Sequence, residues 1–94
     1  MQVTTTKGAT FTVNDKAFTD FRTIRSYAAM IDKNKGEEEQ LAGAVSLVHN
    51  ILGKQEDAFL DSLEVDGYVD PRDVFSELSN IMEQLKNGSA DVKK

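Results

Sequence analysis

Val74, Phe75, Leu78, Ile81, Met82 and Leu85 recur at steps of one, three and four residues, and only an α-helix gathers that spacing onto a single stripe. A strand would split the six between two faces. The start of this helix is as clear as its stripe. The Asp70 carboxylate can accept an orphan N–H of the first turn, and Pro71 suits the first helical position, where no N–H is needed. Asn87-Gly88 reads as the stop. A stripe of this strength has to be buried against something, and the rest of the chain must supply the cover.

Three more helical patterns precede it. Phe18, Phe21, Ile24, Ala28 and Ile31 share one face of a helix that starts at Asn14 or Asp15 and ends over Asp32 to Gly36. A second helix runs from Glu37 to Leu52, with Leu41, Ala44, Val45, Val48, Ile51 and Leu52 as its buried stripe. Glu37, Glu38 and Glu39 sit at its positive end, and Gly53 closes it. The third, from Lys54 or Gln55 to Glu64, carries Ala58, Phe59, Leu60 and Leu63 and is too short to stand without neighbours. Before all of these, the Thr-rich run from Thr4 to Val13 favours extended backbone, yet a lone strand finds no partner in this sequence. That leaves a flexible arm or a strand that pairs with another subunit. The expected fold is all-α: a compact bundle of about four short helices over residues 14–87, an extended N-terminal arm over 1–13, and a disordered tail over 88–94.

Composition narrows the function classes. Ninety-four residues make one small domain with a thin core, and the absence of cysteine removes disulfides and thiolate metal sites. A net charge of −5, from 16 acidic and 11 basic residues spread along the chain, repels a phosphate backbone, so no nucleic-acid partner is expected. Met1 to Gly8 lacks the basic region and apolar core of a signal peptide, and no apolar run approaches membrane-spanning length. The expectation is a cytoplasmic protein without a membrane partner.

Catalytic chemistry finds little to build on. His49 is the one histidine, and with no cysteine or second histidine it lacks a nucleophilic partner. Ser46, Ser62, Ser76 and Ser79 lie in ordinary helical contexts, without the glycine-flanked turn that exposes a nucleophile. The glycines never form a phosphate-cradling pattern. Neither an enzyme nor a cofactor is expected.

Asp66 to Asp73 admits two readings. One is a turn at Asp66-Gly67 followed by the Asp70-Pro71 helix start. The other is a calcium loop with Gly67 at the bend. It places Ser62, Glu64, Asp66, the Tyr68 carbonyl, Asp70 and Asp73 at the coordinating positions and Val69 as the apolar plug. Ser62 stands where such loops carry Asp, and Asp73 where they carry the longer Glu. A calcium-binding helical module is therefore the alternative function, alongside a small acidic adaptor or regulator.

The order of segments from Phe21 to Leu85 resembles the small tail assembly chaperones of long-tailed bacteriophages and prophages. The similarity lies in the aromatic first helix at Asp20-Phe21-Arg22-Thr23-Ile24 and in Leu47-Val48-His49-Asn50-Ile51-Leu52-Gly53. It continues through the short helix from Gln55 to Leu63 and the Asp66-Gly67-Tyr68-Val69 turn into the last helix. The resemblance implies a non-enzymatic role in the host cytoplasm: keeping the tape measure protein soluble and helping tail tube subunits assemble around it. Many such chaperones also have a longer form made by frameshifting, for which tandem lysines such as Lys93-Lys94 are a weak pointer. Phe18, Tyr27, Met30, Leu47, Leu60 and Met82 are surplus apolar groups that can line a partner groove or a homo-oligomer seam.

Overall fold

The computed structural model describes residues 1–14 and 16–92. It opens with a β-hairpin in place of an arm. Strand β1 (Gln2–Thr4) pairs antiparallel with β2 (Thr10–Thr12), with Val3 opposite Phe11. Alternation turns Val3 and Phe11 inward and leaves Gln2, Thr4, Thr10 and Thr12 outside. The connecting turn closes through Thr5 N–H to the Ala9 carbonyl at 2.8 Å, with Gly8 at φ +91°, a conformation that favours glycine.

Side chains supply the partners that the two outer edges of this hairpin lack. Gln55 accepts from Thr12 N–H at 3.0 Å and donates its amide to the Thr12 carbonyl at 2.6 Å. Gln84 does the same on the other edge, accepting from Thr4 N–H at 2.9 Å and donating to the Thr4 carbonyl at 2.7 Å. Asn80 adds a second donor to that carbonyl at 3.1 Å. Buried Glu77 accepts from Thr6 N–H at 3.0 Å and from the Thr6 hydroxyl. The expected free arm or subunit-pairing strand is thus a docked hairpin, and the fold is mostly helical with a small two-stranded sheet, not all-α.

After a 3-10 turn at Ala17–Thr19, helix α1 (Phe21–Ile31) begins at an Asp20 cap, whose carboxylate accepts from Arg22 N–H at 2.8 Å. This start lies later than the sequence pattern suggests, and the buried face differs too. Thr23, Ser26 and Met30 face inward, while Phe21, Ile24, Ala28 and Ile31 lie outside. The cause lies in helix α2 (Glu37–Leu52). A Cβ on Gly43 would stand 2.8 Å from Met30 N and 2.9 Å from Ser26 O, so the two backbones touch where only small groups fit. Asn50 Nδ2 also donates to Ser26 Oγ at 3.3 Å, which helps satisfy that polar seam.

The bounds of α2 match its sequence pattern, with Gly53 at φ +53° donating its N–H to the His49 carbonyl. Its stripe matches in part, with Ala44, Val48, Ile51 and Leu52 buried and Leu41 half-buried. Leu47 is fully buried, and Val45 is 67% exposed. The helix is covered on two sides, by α1 along Gly43 and by the remaining helices along Ala44, Val48 and Ile51, so its buried arc is rotated from the predicted one.

A 3-10 turn at Gly53–Gln55 leads into α3 (Glu56–Leu63), a short segment of eight residues beside the three main helices α1, α2 and α4 (Pro71–Val92). Phe59 of α3 meets Phe11 of the hairpin edge to face, centroids 5.8 Å apart, in a core completed by Leu63, Leu78, Ile81 and Leu85. Helix α4 passes through Asn87-Gly88 to Val92, where a stop and a disordered tail are expected from the sequence. One glycine costs a helix only about 1 kcal/mol relative to alanine, and no proline follows to end it. Asp15 and the Lys93-Lys94 pair lie outside the described residues.

Candidate partner-binding groove

The rotation of α2 has a consequence at the surface. Leu41 and Val45, which a fully covered helix would bury, instead form one wall of an open groove of about 220 Å³. Leu60 of α3 and Val69 supply the far wall, and Pro71, Val74 and Phe75 at the start of α4 close one side. Glu56 stands at the rim. The groove continues past Leu41 and Phe75 toward Glu37 and Arg72 at the first turn of α2. Its lining is mostly apolar with Glu56 among the residues, and its extension carries both Glu37 and Arg72, the latter engaged by Asp70 at 2.9 Å.

Val74 and Phe75 are the two stripe residues of α4 that remain half-buried, packed against the core while Leu78, Ile81, Met82 and Leu85 are buried within it. The turn before them sets their position. Asp66 at φ +54° and Gly67 at φ +79° form a two-residue reversal, closed by Val65 N–H to Tyr68 O at 2.8 Å and Tyr68 N–H to Val65 O at 3.0 Å. Asp70 then accepts from Arg72 N–H at 2.9 Å, and hydrogen bonds from the Arg72 guanidinium hold its carboxyl below the usual carboxylate range. Asp20 is lowered in the same way, chiefly by the Arg22 backbone N–H at the α1 cap.

The groups of the calcium-loop reading are engaged elsewhere or stand apart in this structure. The Tyr68 carbonyl accepts from Val65, Asp70 is spent on the helix cap and on Arg72, and the Ser62 hydroxyl donates to the Phe59 carbonyl at 2.6 Å inside α3. Glu64 and Asp66 are exposed, and Asp73 lies in the first turn of α4. Among the described residues no group of three or more His, Cys, Asp or Glu side chains is placed to hold a metal ion. The turn-and-cap reading describes this segment, and the expected plug, Val69, lines the groove.

The six surplus apolar residues fall into two sets. Met30, Leu47 and Met82 are core, so none of the three offers a surface to a partner. Phe18, Tyr27 and Leu60 are half-buried, and of these Leu60 lines the groove. What the sequence pattern conceals is that Val45, Phe21, Ile24 and Ile31, read as core, are among the exposed large apolar groups, with Val65 and Tyr68 at the turn. The small residues Gly43, Ser26 and Ala29 were the available signal, since a seam of small residues draws two helices together and turns larger side chains away. His49 is exposed on α2, away from the groove lining. No described helix is long and apolar enough to cross a membrane. Compared with known proteins, the chain matches no family model, no curated protein and no solved structure.

Proposed function

We propose that this chain is a non-enzymatic tail assembly chaperone of the phage type, which holds amphipathic helices of the tape measure protein in the groove between α2, α3 and α4 within the bacterial host cytoplasm. The observation that carries the reading is the groove itself: an open, mostly apolar trough built on helices, with Glu37 and Glu56 among its lining residues. An amphipathic helix recognises such a trough through side chains spaced at three and four residues, and basic residues flanking its apolar face would meet Glu37 and Glu56. A net charge of −5 keeps a complex with an apolar client dispersed.

The test is co-expression with the tape measure protein encoded nearest to this gene, followed by affinity capture and titration of client-derived helical peptides. Capture of the tape measure protein, weakened about tenfold or more by Val45→Asp or Leu60→Asp, is the expected result. Failure to co-purify at any expression ratio, or binding that both substitutions leave intact, would remove the reading.

A further inference from the structure

Leu41, Pro71 and Phe75 line both the groove and its extension, so the two form one trough with unlike ends. In the extension Glu37 stands with Arg72, and the charge there is mixed. Glu56, half-buried in the first turn of α3, is the one charged residue lining the main groove. Among the described residues no ion pair or side-chain hydrogen bond engages its carboxylate. Leu60 follows four positions later on the same helix and also lines the groove. A carboxylate and an apolar wall therefore lie one turn, about 6 Å, apart along α3.

The apolar part has a telling size. At about 220 Å³ it is smaller than the pockets of roughly 300–1,000 Å³ that enclose a whole small molecule, and it suits one large side chain whose helix stays outside. Ala44 contributes only a methyl group to its lining, which leaves depth for that side chain. The aromatic pair among the described residues is Phe11 with Phe59, so the half-buried ring of Phe75 has no aromatic neighbour of its own. An incoming ring would meet Phe75 edge to face or offset, a contact worth more than the area it buries.

We infer that the groove selects its helix by two side chains one turn apart: an aromatic anchor against Ala44, Leu60 and Phe75, and a lysine or arginine that meets Glu56. A helix with a carboxylate at the second position is rejected, because two like charges would face each other beside apolar walls. The extension adds no such preference, since Glu37 and Arg72 offset one another there. This selectivity rests on the groove being a helix acceptor, as proposed above, and it specifies the pattern a client must carry.

The chain contains no tryptophan, so the indole fluorescence of a probe reports binding without background. The probes are synthetic amphipathic helices of about sixteen residues with a tryptophan on the apolar face and a lysine four positions away. A second peptide has glutamate for the lysine, and a third has alanine for the tryptophan. The lysine peptide should bind the full chain with blue-shifted emission, the alanine peptide about tenfold or more weaker, and the glutamate peptide roughly threefold to fivefold weaker. Glu56→Gln should erase the preference between the charged peptides and Glu56→Lys should invert it, with circular dichroism confirming that both variants are folded. Glu83→Lys, exposed on α4 outside the groove, changes the net charge equally and should leave the preference in place. Absence of binding by the lysine peptide overturns the inference, as does equal affinity for the lysine and glutamate peptides. So does a tryptophan that alanine replaces without loss, or a preference that Glu83→Lys shifts as far as Glu56→Lys. Capture of the tape measure protein that Glu56→Lys leaves untouched removes this selectivity alone. The peptide preference without capture of the tape measure protein removes only the chaperone reading.

Discussion

Gln84 serves Thr4 as a substitute for a neighbouring strand, taking the Thr4 N–H on its carbonyl oxygen and giving its amide to the Thr4 carbonyl. Gln55 repeats the arrangement at Thr12 on the opposite edge. An unpaired strand edge invites pairing with another chain, and here a glutamine occupies the outward backbone groups of one residue on each edge, with Asn80 adding a second donor at Thr4. Gln84→Ala or Gln55→Ala should each destabilise the fold by about 1 kcal/mol, the usual net worth of such hydrogen bonds partly open to water. The double variant should lose close to the sum, because the two glutamines act on separate edges. Urea unfolding reads the energies, and faster amide exchange at Thr4 or Thr12 assigns each loss to its edge. An unchanged exchange rate at Thr4 in Gln84→Ala would show that the grip does not hold in solution.

Gly43→Ala inserts a methyl group where Met30 N and Ser26 O already stand within 3 Å of the ideal Cβ position. Both obstacles are backbone atoms and cannot swing aside, so α1 and α2 must separate. Overpacking of this kind costs roughly 1–3 kcal/mol, against the small gain that alanine normally brings to a helix. Chemical denaturation should therefore show a loss. A gain would mean that the seam between the helices is looser than it stands here.

Exposure separates Ile24 from Leu47, although both are large aliphatic residues on helices. Ile24→Ser should change the stability of the monomer by less than about 1 kcal/mol. Leu47→Asp places an unpaired carboxylate in the core and should cost more than about 3 kcal/mol, enough to unfold a small domain. Thermal melts distinguish the two. A severe loss from Ile24→Ser would contradict the outward orientation of the α1 stripe.

Acid should loosen the starts of α1 and α4. Asp20 and Asp70 have lowered pKa values in the folded chain, so their contribution is fully present above the ordinary aspartate value, about pH 4, and is lost as pH falls through the lower folded values. Melting temperature followed from neutral pH downward should fall in that window. Asp20→Asn with Asp70→Asn keeps an acceptor for each capped N–H but removes the charge, and should flatten that part of the profile. An unaltered acid limb in the double variant would place the acid sensitivity elsewhere.

The parts of this fold legible in the sequence are those decided locally. Glu37 to Leu52 with Gly53 behind it, and Asp70-Pro71 ahead of Val74 to Leu85, combine caps, breakers and periodicity within a few residues of one another. The hairpin was not legible, because its strands are three residues long and its edge partners lie 43 and 80 positions away in Gln55 and Gln84. The face of α1 was misread because periodicity reports that a stripe exists and not which side the neighbour takes. Ser26 and Gly43 decided that through close approach. The groove follows from the same rotation: Leu41, Leu60, Val69 and Phe75 each looked like ordinary core, and only tertiary packing leaves them lining an opening.

The bonds from Thr4 and Thr6 to Glu77, Asn80 and Gln84 span 71 to 80 positions of chain. On a ribosome that separation becomes time. The hairpin is polymerised before the side chains that meet Thr4 and Thr6, which are added only as α4 is made. Until then the nascent chain carries two short strands with an open edge, and native docking can be completed only once α4 has cleared the exit tunnel.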